Sequence, residues 1–202
     1  MLLVSGATRD VMTWRKSDHL GVLMSPRGGH SVEWLARTGL RWAADNDAFK
    51  HWNPPEFLKA LERWRGTPRC LFICAPDVRG DAIATMVRFH YWEPIIRSYG
   101  LPVALVAQDG LEHLKYIPWT HFDALFIGGR DRWRASPVVP ALIREAKARD
   151  KWVHWGRINI GSVRIAQYRG VDSFDGSGFS RQPSRIPRAL EILSRPSLVE
   201  VR

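Results

Sequence analysis

The chain has 202 residues, 45% of them hydrophobic and 25% charged. That suits one globular domain with a core large enough to need no disulfide or metal staple. Thirty Lys and Arg face twenty Asp and Glu, a formal net charge of +10, and such a surface points to polyanionic partners, nucleic acid first. No apolar run nears the about 20 residues of a membrane helix, and the opening MLLVSGATRD turns polar too early for a secretory signal, so a cytoplasmic chain without membrane contact is expected.

Taken in order, short apolar runs alternate with stretches of helical spacing. The runs are LLVSG (2–6), HLGVLMS (19–25), LRWAAD (40–45), CLFICAPD (70–77), VALVAQ (103–108), ALFIGG (124–129), WVHWG (152–156) and VDSFD (171–175). Most are nearly continuous in apolar residues, as parallel strands covered on both faces are. Between them, helical patterns are faint at 8–18 and 30–38, clear at 54–65 and 80–98, faint at 110–116, and clear again at 137–149 and 160–169. A last helix fits 185–194. Eight β/α units predict a compact single-domain (β/α)8 barrel of TIM type. The rival is an open doubly wound sheet, but no G-x-G-x-x-G follows the first strand. The tail, about 182–202, is basic and Pro-rich: a nucleic-acid contact or a packed end.

Two cysteines, Cys70 and Cys74, are too few for a zinc site. Four apart on one strand, they are expected on the same face as buried free thiols. Ten Trp are available as core or as platforms for stacked bases.

Barrel active sites form where strands end. Those ends carry Asp45 and Asp47, Asp77, Gln108 with Asp109, Gly128 with Gly129, Trp155 with Gly156, and Asp175. Helix N-capping accounts for some of these acids, Asp81 and Asp109 among them, but not for five strands ending alike. Converging carboxylates without a metal-ligand pattern fit glycosidic-bond chemistry, in which one attacks the anomeric carbon and another moves a proton. Magnesium binding is the alternative use. The aromatics between them, Phe49, Trp155 and Phe174, favour a flat base over a phosphate.

In this order the strand ends resemble the tRNA-guanine transglycosylase family, most closely its DNA-directed branch, which inserts 7-deazaguanines into DNA. RGVDSFDGSGFSR resembles the family stretch ending in the nucleophilic aspartate, here Asp175. AADNDAF resembles the strand bearing the general acid/base and a stacking aromatic, here Asp45 and Phe49; the family's Gly-Gly is replaced by Asp47-Ala48, so Asp47 is an alternative to Asp45. CAPDVRGD resembles the strand whose aspartate reads the guanine N1 and N2 edge, here Asp77. VALVAQDG gives Gln108 a base-contacting role, and FDALFIGGRDRW resembles the Gly-Gly strand whose backbone reads O6, here Gly128 and Gly129. VHWG resembles the strand supplying the other side of the base sandwich, here Trp155.

The match covers about residues 40 to 181. It implies a barrel without the zinc subdomain of the tRNA enzymes and a reaction needing no cofactor. The implied activity is exchange of guanine for a 7-deazaguanine, such as 7-cyano-7-deazaguanine (preQ0), through a covalent glycosyl-aspartate. The missing tRNA-binding insertions favour guanine-containing DNA, with the base flipped from its stack, over tRNA. A bacterial or phage setting goes with that branch. The same exchange on RNA and a non-catalytic nucleic-acid-binding barrel stay open. Arg130, Arg132, Arg134, Arg157, Arg181, Arg185 and Arg188 are the candidate phosphate contacts. His154, next to Trp155, is expected to face away from the barrel interior, and His30, His51 and His90 are read as structural.

Overall fold

Each predicted strand forms and pairs with its neighbour in sequence order, and the eighth returns to the first. In the computed structural model these are β1 (Leu2–Val4), β2 (Leu20–Met24), β3 (Arg41–Ala44), β4 (Cys70–Cys74), β5 (Val103–Ala107), β6 (Ala124–Ile127), β7 (Trp152–Trp155) and β8 (Ser173–Asp175). All pairs are parallel and the barrel is closed. The structure describes residues 1–6 and 8–195, without the side chains of Lys50 and His51; the reading of His51 and the end of the tail therefore lie outside it.

The helices are α1 (Thr8–Trp14), α2 (Val32–Thr38), α3 (Ala48–His51), α4 (Pro54–Trp64), α5 (Ala82–Ser98), α6 (Asp131–Arg134), α7 (Val138–Lys147), α8 (Val163–Tyr168), α9 (Ser177–Arg181) and α10 (Arg185–Ser194). Local chemistry sets several starts. Asn53 accepts from the Glu56 N–H just before Pro54, and Asp81 accepts from the Ala84 N–H, both N-caps. The faint helix at 110–116 shrinks to a single 3-10 turn, Leu111–His113. Gly110 enters it at φ 90, and Pro118 stops any helical continuation. Residues 185–194 are a packed end: α10 buries Ile186, Ala189, Leu190 and Ile192.

Strand residues alternate between two cores. Leu2, Val22, Trp42, Ile73, Leu105, Leu125, Val153 and Phe174 face the helices. Leu3, Leu23, Ala43, Phe72, Ala104, Val106 and Ala124 fill the barrel, with Phe126 beside them. Mixing alanines with phenylalanines lets eight strands close without a void.

One irregularity corrects an expectation. Trp42 pairs with Cys70 but Ala44 pairs with Ile73, so β4 carries an extra residue. That bulge turns the strand over. Cys70 joins the outer core while Cys74 lies inside the barrel, so the two thiols occupy opposite faces.

The exit of β8 is held tightly. The Phe174 N–H donates to the Met1 carbonyl, and the Ile158 N–H donates to the Asp175 carbonyl at 2.6 Å. A Cβ on Gly176 would stand 2.0 Å from the Ile158 carbonyl oxygen. Gly176 is thus small because backbone passes over it. Gly176→Ala is expected to destabilise the fold by about 1–3 kcal/mol in denaturant titration. Gly178→Ala, whose Cβ meets only the far end of the Arg185 side chain, should cost little; equal losses would contradict the close-approach account.

Candidate active site

At the C-terminal rim, Asp45, Asp77, Gln108, Gly128, Gly129 and Asp175 line one cavity of about 160 Å3, with Asn46, Phe49, Arg79, Val106, Phe126 and Arg157. Larger clefts of about 460 and 570 Å3 lie at the N-terminal ends of the strands and beside the 111–119 segment, and neither holds these carboxylates. The rim cavity is smaller than the about 300–1,000 Å3 of drug-sized pockets. It suits a small ligand.

Most of the strand-end residues reach the cavity because they continue the inward-facing set: Asp45 after Ala43, Gln108 after Val106, Gly128 after Phe126, Asp175 after Ser173. Asp47 does not join them. It sits at φ 56 before α3, and its carboxylate faces the Arg27 guanidinium at 3.7 Å. The residue between the two acids does join: Asn46, 2% exposed, donates to the Ala75 carbonyl and to Asp77 Oδ1, each at 2.9 Å.

Asp77 and Gln108 form one network. Gln108 Nε2 donates to Asp77 Oδ2 at 2.5 Å, and Gln108 Oε1 accepts from the Gly80 and Gly129 N–H groups at 2.8 and 3.0 Å. The Gly129 N–H expected to point at a ligand is thus bonded to Gln108. Gly129 adopts φ 70, and a Cβ there would stand 2.4 Å from Trp133, so this turn needs glycine.

Trp155 is a correction. In parallel register it pairs with Phe174, and His154 pairs with Ser173. Paired residues share a face of the sheet, so Trp155 follows Phe174 into the outer core, under the Arg169 guanidinium. His154, expected to face away, is inside the barrel and fully buried. Its Nε2 lies 3.1 Å from Asp175 Oδ1 and its Nδ1 lies 2.8 Å from Ser173 Oγ. Phe126, on the inward face of β6, lines the cavity together with Phe49.

Arg157 lines the cavity and donates to the Gly129 carbonyl. Its neighbour Arg134 is bonded to the Gly156 carbonyl and pairs with Asp131 at 3.3 Å; burial holds its pKa below the usual value. Arg130 is anchored by its N–H to Asp109 at 2.8 Å, and Arg132 is exposed beside it on α6. Arg181 is exposed on α9 and Arg185 is partly buried against Gly178. Arg188, exposed on α10, pairs with Glu191 at 2.6 Å. Arg79, absent from the sequence expectations, lies over the Phe49 ring at 4.7 Å.

Electrostatics single out Asp45. Burial first, then the charges of Asp77 and Asp175, raise its pKa to about 7. Burial also raises Asp77, against the bonds from Asn46 and Gln108. At neutral pH Asp45 is therefore balanced between acid and base, the condition for general acid/base catalysis. Among the described residues no cluster of three or more His, Cys, Asp or Glu could hold a metal ion, and no helix is long and apolar enough to cross a membrane.

No protein-family model matches the chain, and no curated protein matches it in sequence. Among solved structures it is similar to an HpcH/HpaI aldolase from Desulfitobacterium hafniense DCB-2, at 11% identity over 98% of this chain and 94% of that one, with a TM-score of 0.49. It is also similar to the Bacillus subtilis YkuI protein with an EAL domain (14% identity, 91% and 47% covered, TM-score 0.40) and to a Ruminococcus gnavus beta-glucuronidase (11%, 73% and 31%, 0.42). Likeness at this level concerns fold alone, and the barrel assignment rests on the chain's own strand pairing.

The raised pKa has a stability consequence. Folded protein keeps the Asp45 proton up to about pH 7, whereas an unfolded chain releases it near pH 4. The carboxyl therefore destabilises the fold increasingly as pH rises through that window. Asp45→Asn should raise the Tm at pH 8, by about 2–4 °C per kcal/mol recovered for a chain this size. The gain should vanish toward pH 4. A gain independent of pH would show that Asp45 titrates normally.

Proposed function

We propose that this barrel is a guanine transglycosylase acting on DNA, exchanging guanine for a 7-deazaguanine through an ester between Asp175 and the sugar. The observation that carries the reading is the grouping of Asp45, Asp77 and Asp175 with Gln108 around one small cavity flanked by Phe49 and Phe126. The motif resemblance of residues 40–181 supplies the chemistry that such a grouping performs.

In this reading a flipped guanine enters between Phe49 and Phe126, with stacking worth about 1–3 kcal/mol per base. Asp77 accepts from guanine N1–H and N2–H, an edge adenine does not present. The Gly129 N–H, released from Gln108 Oε1, donates to O6, and Gln108 Nε2, released from Asp77, donates to N7. A site built on such pairs rejects bases that leave them unmatched. Phe49, 63% exposed, is the side of the sandwich open to solvent.

A carboxylate oxygen of Asp175 attacks C1′. The C1′–N9 bond breaks, its electron pair passes to the purine, and the Asp45 carboxyl gives the departing base a proton. The incoming deazapurine then loses its N9 proton to Asp45. N9 attacks C1′, and Asp175 leaves as carboxylate, so atoms and charge balance over the two halves. Asp47 is not among the residues lining the cavity, which favours Asp45 for the proton work. Arg79 and Arg157 at the rim, with Arg130 and Arg132 beyond them, meet the phosphates on either side of the flipped nucleotide.

Incubation with a guanine-containing single-stranded oligonucleotide should give a covalent protein–DNA adduct on a denaturing gel, discharged by 7-cyano-7-deazaguanine. Asp175→Ala should abolish the adduct and Asp45→Asn should slow it by about 10²-fold or more. Nucleoside mass spectrometry should then find the deazapurine in the DNA. Exchange into tRNA but not DNA would move the substrate to RNA. Salt-sensitive binding without exchange would leave a binding barrel.

A further inference from the structure

The barrel interior holds a line of polar groups that neither packing nor the reaction scheme above uses. Trp152 Nε1 lies 2.7 Å from Ser173 Oγ, Ser173 Oγ lies 2.8 Å from His154 Nδ1, and His154 Nε2 lies 3.1 Å from Asp175 Oδ1. Ser173 and His154 are both fully buried. Valine or leucine at these positions would fill a barrel without burying polar atoms, which are costly when unpaired. The line ends on the carboxylate assigned above as nucleophile.

Hydrogen inventory gives the line a direction. An indole N–H only donates, so Ser173 Oγ accepts from Trp152. The Ser173 hydroxyl then places its own proton on His154 Nδ1. A neutral imidazole carries one N–H, which must be on Nε2, and it donates to Asp175 Oδ1. Reversing the line would leave Ser173 accepting twice with its own proton unplaced. Burial keeps the imidazole neutral by lowering its pKa, against the pull of Asp175. The Phe72 and Phe126 rings, with centroids 5.3 and 4.6 Å from the imidazole, hold its orientation.

Asp175 Oδ1 takes a second donor, the Arg157 backbone N–H at 3.2 Å. Among the described residues Oδ2 takes none. We infer that Trp152, Ser173 and His154 are a positioning relay that assigns the two oxygens of Asp175, holding Oδ1 between two donors and presenting Oδ2 as the atom that bonds to C1′. In the ester, Oδ1 becomes the carbonyl oxygen and keeps both donors. When the incoming base attacks, the C1′–Oδ2 electron pair returns to a carboxylate already seated in hydrogen bonds. The Oδ2 assignment rests on the transglycosylase reading; the tautomer of His154 does not.

The test has two independent parts. In the protein as it stands, imidazole 15N NMR should show His154 as the Nε2–H tautomer. Ser173→Ala, which removes the hydroxyl facing Nδ1, should move the Nδ1 resonance while Asp175 keeps the proton on Nε2 and the protein stays folded. An Nδ1–H tautomer, or an Nδ1 resonance unmoved by Ser173→Ala, overturns the relay. The second part is the rate of adduct formation with the single-stranded oligonucleotide. His154→Gln keeps an N–H donor and should stay within tenfold of wild type. His154→Leu keeps bulk without a donor and should be at least 100-fold slower, with unchanged oligonucleotide Kd. Equal losses in the two variants would make His154 merely structural. If wild type forms no adduct at all, the transglycosylase reading falls and the tautomer result alone decides the relay.

Discussion

A barrel exists only if its last strand meets its first, and here both are three residues long. So short a seam depends on neighbouring backbone. The Ile158 and Arg157 amides fold over the end of β8, one bonding the Asp175 carbonyl and the other its carboxylate. Lower down, the Asp172 side chain takes the Val153 N–H at 2.7 Å and the Lys147 ammonium at 2.7 Å. The seam that closes the fold is therefore also the mount of the central carboxylate. Stability and the placement of Asp175 are two readings of one set of hydrogen bonds.

The opposite half of the rim is built differently. Asp77 takes the Asn46 and Gln108 side-chain amides, and Asp45 takes the Asn46 backbone amide at 2.8 Å. Amides carry no charge, so they fix the carboxylates without neutralising them. That leaves mutual repulsion and desolvation to act on Asp45. Guanidinium groups in the same places would have held the acids just as firmly and removed the proton on Asp45.

Much of the fold is legible in the sequence, because parallel strands buried on both faces leave runs that little else mimics. All eight strands stand within the runs that the apolar pattern marks, and the clear helices form. What the pattern misses follows from information it does not carry. Alternation says that Trp155 and His154 oppose each other, but not which is inside; only the pairing of β7 with β8 decides it. The same pairing logic applied to Phe126 and Gly128 would have put a phenylalanine in the site. The β4 bulge, which separates Cys70 from Cys74, leaves no composition signal. Asn46 was visible as a polar residue inside a strand end flanked by acids, and its near-complete burial is what makes it informative.

Arg157 sits at φ 60, a left-handed backbone conformation that glycine adopts freely and arginine does not. Its amide serves Asp175 whatever the side chain, so glycine would keep that bond and relax the turn. The guanidinium at the cavity wall would be lost. This position sets durability against performance. Selection of this barrel for heat tolerance alone would drift toward glycine here, and the resulting protein would be sturdier but without this cation on the cavity wall.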